Sequence, residues 1–353
     1  MKSISVPKDN AFNFLRLICA LIVIYEHAVL LSENGALPCF NLRGIAVNVF
    51  FILSGFWVTQ SYLKSDSLKE YAKKRCKKIF PLYFTVVILS AFLLVFFSSL
   101  NAKEYFINSG FIKYLIANLS TLNFIHPTLP GVFEGLALGG SVNGSLWTIK
   151  IELGFYIILP LIIYLKGRLS NLGGGIVLFT IYFLSVIYEV FMPILTKDTF
   201  IPVSLNNQLP AYLSYFISGM AILEYWELIL KKLNFFIIPS LIIFVICTIA
   251  NIPVLSCFVK PITLSIIVTW VGLSLKLFYN IGKQKDYSYS MYLVHCPLIM
   301  SFVASSFFEK NWYLAFLGIL GTTFLVSFLL EKIMEVLSVN CKYRIIQNTN
   351  TTN

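Results

Sequence analysis

"FNFLRLICALIVIYEHAVLL", residues 12–31, decides the fold class. Twenty helical residues rise about 30 Å, the depth of a bilayer's hydrocarbon core. Similar apolar stretches recur along all 353 residues, of which 58% are hydrophobic and 12% charged. Average soluble domains carry about 25% charged residues. Spans are expected at 11–31, 43–62, 79–100, 145–165, 173–190, 208–226, 233–250, 259–279, 287–307 and 312–331. The expectation is an all-α, polytopic integral membrane bundle of about ten transmembrane helices, with the first span an uncleaved anchor.

The net charge of +11 could be read as a nucleic-acid surface, so the placement of the positive residues decides. Seven Lys or Arg crowd residues 64–78, whereas residues 101–144 hold two. Basic residues gather in alternate connections, the pattern that orients membrane proteins with positive loops inside. Both termini are then cytoplasmic, and anionic lipid headgroups, not nucleic acid, are the partner of the basic residues. The seven cysteines form no C-x-x-C pair. Cys39 and Cys257 both fall outside in this topology and could pair.

Residues 64–78 read as a basic cytoplasmic linker. Residues 101–144 form a long extracytoplasmic loop with an interfacial or re-entrant helix in "GFIKYLIANLSTL". A Gly-rich run follows, "GVFEGLALGGSVNG", suited to a lid or wall around a bulky ligand. The polar end "QNTNTTN" is expected to be disordered. One transmembrane domain over 1–335 and a cytoplasmic tail over 336–353 account for the chain.

The ionisable residues inside the spans carry the functional signal. Eleven residues on a helix turn about 1100°, so Arg16 and His27 share a face roughly 16 Å apart along the axis. A charge at membrane depth costs roughly 2.5–3.5 kcal/mol, so such residues face a bundle interior or a wet cavity. The plain alternative is an arginine snorkelling to headgroups and a histidine bonding a neighbouring helix. Glu26 sits beside His27. In "GSLWTIKIELGFYIILPL", Glu152 falls at a depth similar to that of His27. A carboxylate beside an imidazole raises its basicity, although an ion pair with Lys150 or a neighbouring arginine is the structural alternative. In "YSYSMYLVHCPL", Ser288, Met291, Tyr292 and His295 form one stripe, and Pro297 is expected to kink the helix. His295 could equally be a core histidine. Lys73, Lys74 and Lys77 read as a solvated face, whereas Arg75 and Lys78, at the membrane boundary, could hold phosphates. The three histidines lack ligand spacing, so no metal site is expected.

Five patterns in order resemble the membrane-bound acyltransferase-3 family, bacterial O-acyltransferases that decorate surface polysaccharides. They are Arg16-x10-His27, "VFFILSGFW", "RCKKIFPLY", "SLWTIKIELGFYIILP" and "YSYSMYLVHCPL", together covering residues 11 to about 300. The family usually has Arg-x-x-Arg where this chain has Arg75 and Lys78, and lysine keeps the charge but loses the two-pronged contact. Some members add a C-terminal extracytoplasmic hydrolase-like domain, which is not expected here.

The resemblance implies transfer of an acyl group, most often acetyl from cytoplasmic acetyl-CoA, to a sugar hydroxyl. That sugar would belong to a lipid-linked or surface polysaccharide, such as O-antigen, capsule or exopolysaccharide. The setting is the bacterial cytoplasmic (inner) membrane, and no permanently bound cofactor is implied. Arg16, Arg75 and Lys78 would dock the phosphate end of CoA, and pantetheine would pass Ser54 and Gly55. His27 would take the hydroxyl proton or form an acyl-imidazole, oriented by Glu152. The 101–144 loop would help to hold the glycan. His295 would bond the donor or the thioester oxygen, with Tyr292, Glu26 and Trp147 as further candidates. A competing reading is a proton-coupled transporter, or a flippase of a lipid-linked sugar, using Glu152 and His27 as a relay.

Overall fold

The computed structural model describes residue 4 and residues 6–33, 42–197, 202–250 and 252–350, with side chains as far as 337. Among the described residues there is no strand, only two isolated bridges, Ser98–Val132 and Thr128–Ser141. The helices are α1 (Phe12–Leu31), α2 (Leu42–Leu63), α3 (Leu68–Leu93), α4 (Ala102–Ile107), α5 (Ser109–Leu119), α6 (Trp147–Gly167) and α7 (Asn171–Thr196). They continue with α8 (Leu209–Glu224), α9 (Trp226–Ala250), α10 (Pro253–Ser274), α11 (Ser288–Ala304), α12 (Phe307–Lys310) and α13 (Trp312–Asn350). Among the described residues, eight helical stretches are long and apolar enough to cross a membrane. The shorter α8 and α11, of 16 and 17 residues, stand at the other two expected places.

Two boundaries differ from the sequence reading. Most of the basic linker is helix, because α3 starts at Leu68 and runs through Pro81. Ser67 Oγ accepts from Glu70 N–H, and Glu70 Oε2 accepts from Asp66 N–H. Such reciprocal capping starts a helix ahead of the apolar run. At the other end α13 continues to Asn350, into the expected disordered end. Residues 322–350 contain no Gly or Pro to stop it. Cys39 lies outside the described residues.

The chain divides into two compact units. The first comprises Met1–Cys19, Arg43–Arg75 and Thr148–Gln284; the second comprises Ala20–Leu42, Cys76–Trp147 and Lys285–Asn353.

In the first unit α2 and α8 meet backbone to backbone. A Cβ on Gly55 would lie 2.0 Å from the Phe216 carbonyl oxygen, and one on Gly219 would lie 2.0 Å from that of Ile52. Reciprocal glycines of this kind let apolar helices gain dispersion contact where water supplies no driving force. Phe155 stacks on Phe216 beside this crossing, at 4.4 Å between centroids, and Phe51 meets Phe155 edge-on. The room expected at Gly55 for a threading ligand is therefore filled by α8. At the ends of α6 and α8, Lys166 is buried against Glu224, one residue past the expected fourth span. Gly219→Val is expected to destabilise the protein by about 3 kcal/mol or more, since backbone must move to admit the side chain. Thermal unfolding in detergent measures this, and an unchanged midpoint contradicts the crossing.

In the second unit α13 packs on the C-terminal part of α1, where Trp312 and Phe316 meet Tyr25 edge-on. Trp312 Nε1–H donates to Ser32 Oγ at 3.0 Å. The 101–144 stretch is a built structure with the expected helix present as α5. Tyr83 hydroxyl donates to the Asn118 carbonyl at 2.7 Å and Tyr105 hydroxyl to that of Ala91 at 2.6 Å. Burial pushes the Tyr105 hydroxyl up to about 12 and raises that of Tyr114 as well. The Gly-rich run is held by the two bridges and by Val142 N–H donating to the Pro127 carbonyl.

Candidate active site

Within the second unit the two intramembrane histidines meet. His27 Nδ1 lies 2.9 Å from His295 Nε2, with the rings 5.0 Å apart and inclined by 27°. His295 is fully buried and His27 half-buried. The other nitrogen of His295, Nδ1, lies 2.8 Å from the Tyr292 carbonyl oxygen.

Pro297 explains what surrounds the pair. Proline has no N–H, so the carbonyl four residues back, that of Leu293, loses its helical donor. Asn143 Nδ2 donates to that carbonyl at 2.7 Å. Asn143 Oδ1 in turn accepts from both N–H and Oγ–H of Ser145, and Gly144 N–H points to Cys296 Sγ at 3.3 Å. Tyr292 hydroxyl reaches the Ser145 carbonyl at 3.4 Å. A turn from the loop thus plugs the gap that the proline opens beside His295. Trp147, half-buried, begins α6 immediately after this turn. Asn143 and Ser145 escaped the sequence reading; an Asn-Gly-Ser turn just ahead of a span was their available signal.

Glu26 is buried, and its Oε1 accepts from Leu42 N–H at 3.3 Å, at the first residue of α2. There it complements the positive end of that helix. Arg16 is half-buried about one turn from the start of the unbroken α1.

Within the first unit a second group forms. Arg75 Nη2 donates to Ser61 Oγ at 2.9 Å, and its guanidinium lies over the Tyr156 ring at 5.6 Å. Tyr156 hydroxyl donates to Glu152 Oε1, and the Tyr156 carbonyl accepts from Tyr71 hydroxyl at 3.0 Å. Arg75 Nε and Ser54 Oγ are buried without hydrogen-bond partners among the described residues. Ser54 and Ser61 are seven residues apart, about two turns, and so share a face of α2. Lys78 is exposed, one turn beyond Arg75 on α3. Among the described residues no cluster of His, Cys, Asp or Glu is gathered for a metal ion.

A family model described as an acyltransferase domain matches residues 9–332. The chain belongs to the acyltransferase-3 family. An O-acetyl transferase of Shigella phage Sf6 is 30% identical over 154 residues, 43% of this chain and 45% of that protein. Nodulation protein 10 of Rhizobium leguminosarum bv. viciae is 26% identical over 348 residues, 90% of each chain. Acyltransferase MdmB of Streptomyces mycarofaciens is 28% identical over 137 residues, 34% of this chain and 28% of that protein. The matches to the phage and Streptomyces proteins thus span less than half of either relative. No solved structure matches the chain. With its apolar helices, the protein is a multi-pass membrane acyltransferase.

The hydrogen-bond chain in this acyltransferase fixes a tautomer. A carbonyl oxygen only accepts, so His295 carries its proton on Nδ1 and presents a lone pair at Nε2. His27 must then donate from Nδ1, and in its neutral form it carries a lone pair on Nε2. An imidazole held by an acceptor at one nitrogen and basic at the other is how a general base or nucleophile is prepared.

Proposed function

We propose that this acyltransferase moves an acyl group, acetyl foremost, from cytoplasmic acyl-CoA to a sugar hydroxyl of a cell-surface polysaccharide, in the bacterial inner membrane. The observation that carries the reading is the His27–His295 pair with its fixed proton order. His27 Nε2 takes the proton of the sugar hydroxyl as its oxygen attacks the thioester carbon. The new C–O bond forms, the C–S bond breaks, and the thiolate recovers the proton from His27. His295 Nε2 keeps accepting from Nδ1–H throughout and so favours the imidazolium in the transition state. In a two-step version the same lone pair attacks the thioester first.

Arg75 is the donor anchor in this reading. Its orphaned Nε and its stacking on Tyr156 suit a guanidinium waiting for an anion, such as a phosphate of CoA. Arg16, on the face that also carries His27, and Lys78 add positive charge. Ser54 Oγ offers a hydrogen bond to the pantetheine amides. Glu152, bonded to Tyr156, steadies the ring under Arg75 in this scheme, and the orienting role expected of it passes to His295. The name of the phage relative supports acetyl as the group and oxygen as the acceptor atom.

Arg75→Ala is expected to raise KM for acetyl-CoA about tenfold with little change in kcat, the size of a lost charge-assisted hydrogen bond. Arg75→Lys should recover little of this, because lysine cannot keep the fork and the stacking together. An unchanged KM rejects the anchor. The reading as a whole is tested by mass analysis of the surface glycan with and without the gene. Loss of an acyl group from an intact polymer is expected; loss of the polymer itself means export.

A further inference from the structure

The second unit holds a cavity that the transfer chemistry leaves unused. A cleft of about 520 Å³ opens in the 98–141 stretch, with Asn108, Thr128, Glu134, Gly131, Gly139 and Gly140 among its walls. Its form is built into the backbone. Gly131, Gly139 and Gly140 have φ of 67°, 59° and 76°, and Phe133 and Leu138 hold 57° and 61° without being glycine. Left-handed conformations at ordinary residues cost of order 1–3 kcal/mol each and persist where the surroundings enforce them. A side chain on Gly131 would strike Ser98 Oγ and Ser99 Oγ at 2.6 and 2.7 Å. The wall is glycine there because no side chain fits.

The lining is selective in its chemistry. No Lys, Arg, His or aromatic residue belongs to it, and its one charge is the Glu134 carboxylate. Such a surface repels phosphates and nucleotides, so it does not suit the acyl donor. A carboxylate, an amide, a hydroxyl and open glycine backbone together suit the hydroxyl groups of a neutral sugar.

The cleft is also tied to the histidines through the chain. Asn143 lies three positions after Gly140, at most about 11 Å of backbone. Asn143 is bonded to the Leu293 carbonyl, two residues from His295. None of the six wall residues above takes part in the hydrogen bonds around His295.

Resting on the proposed transfer to glycans, we infer that this cleft holds a second, unreacted sugar of the same acceptor chain. The acceptor is thus an oligosaccharide recognised at two places. One sugar reacts at His27 while a neighbour along the chain is gripped by Glu134, Thr128 and the glycine wall.

The test uses purified full-length protein, labelled acetyl-CoA, and a panel of neutral bacterial-surface oligosaccharides alongside the methyl glycosides of their constituent sugars. Wild type is expected to show a KM about tenfold lower for the oligosaccharides, the worth of a hydrogen bond to a charged group. Glu134→Ala should erase that advantage while leaving kcat and the methyl-glycoside kinetics unchanged, and Glu134→Gln should keep part of it. Glu134 is exposed, so these variants are expected to fold. Glycans that accept acetyl with the same length preference in Glu134→Ala overturn the cleft alone. A panel in which no glycan accepts acetyl overturns the acceptor class beneath it, and the cleft's role as well.

Discussion

His27→Ala is expected to lower the rate of acetyl transfer about a thousandfold, within the usual range for removal of a general base. The loss should fall on kcat, with KM for acetyl-CoA nearly unchanged, because the anchor at Arg75 is a separate group of side chains. The half-buried position of His27 makes the truncation tolerable to the fold. Unchanged thermal unfolding alongside lost transfer marks the effect as chemical. His27→Gln should be no better than alanine, since an amide nitrogen is no base. Labelled acetyl-CoA in membrane vesicles reads all of this, and transfer at the wild-type rate in either variant removes His27 from the chemistry.

The second large effect belongs to His295, as a positioning residue that acts through His27. His295→Ala is expected to cost about a hundredfold in kcat, the scale of a lost hydrogen bond to a charged group. The informative contrast is between two amides. Glutamine can place an acceptor oxygen near the position of Nε2 and receive the His27 Nδ1–H. Asparagine has the reach of Nδ1: it can meet the Tyr292 carbonyl but leaves His27 without an acceptor. His295→Gln should therefore keep about ten times more activity than His295→Asn, in line with one retained hydrogen bond. A merely structural histidine predicts no such order. Equal rates in the two amide variants contradict the proton order derived for the pair.

The sequence carried the architecture well because apolar length is a local property, visible within each window of twenty residues. The shared face of Arg16 and His27 was legible for the same reason: the arithmetic of one helix suffices. Partnerships across the chain were not legible. His27 and His295 are separated by 268 positions, and only the fold shows that the nitrogens meet. Pro297 was visible as a helix defect. Its consequence, a freed carbonyl taken by Asn143, needs a residue 150 positions upstream. Gly55 illustrates a different failure. Lack of a side chain looked like room for a ligand, whereas Gly219 supplies a matching gap on α8 and the two helices close on each other. One glycine cannot reveal its counterpart. The early start of α3 is the miss that local reading should have prevented, since Ser67 and Glu70 are a capping pair at the correct spacing.

The account turns on the two histidines working as one base, and a double-mutant cycle on transfer rates measures that directly. Rates are compared for wild type, His27→Ala, His295→Ala and the doubly substituted protein, all in the same vesicle assay. If His295 acts only through His27, the double variant falls no further than His27→Ala, because groups that act as a unit are lost together. If the two losses multiply, leaving the double variant about another hundredfold slower, the histidines act independently and the pair is not the catalytic unit.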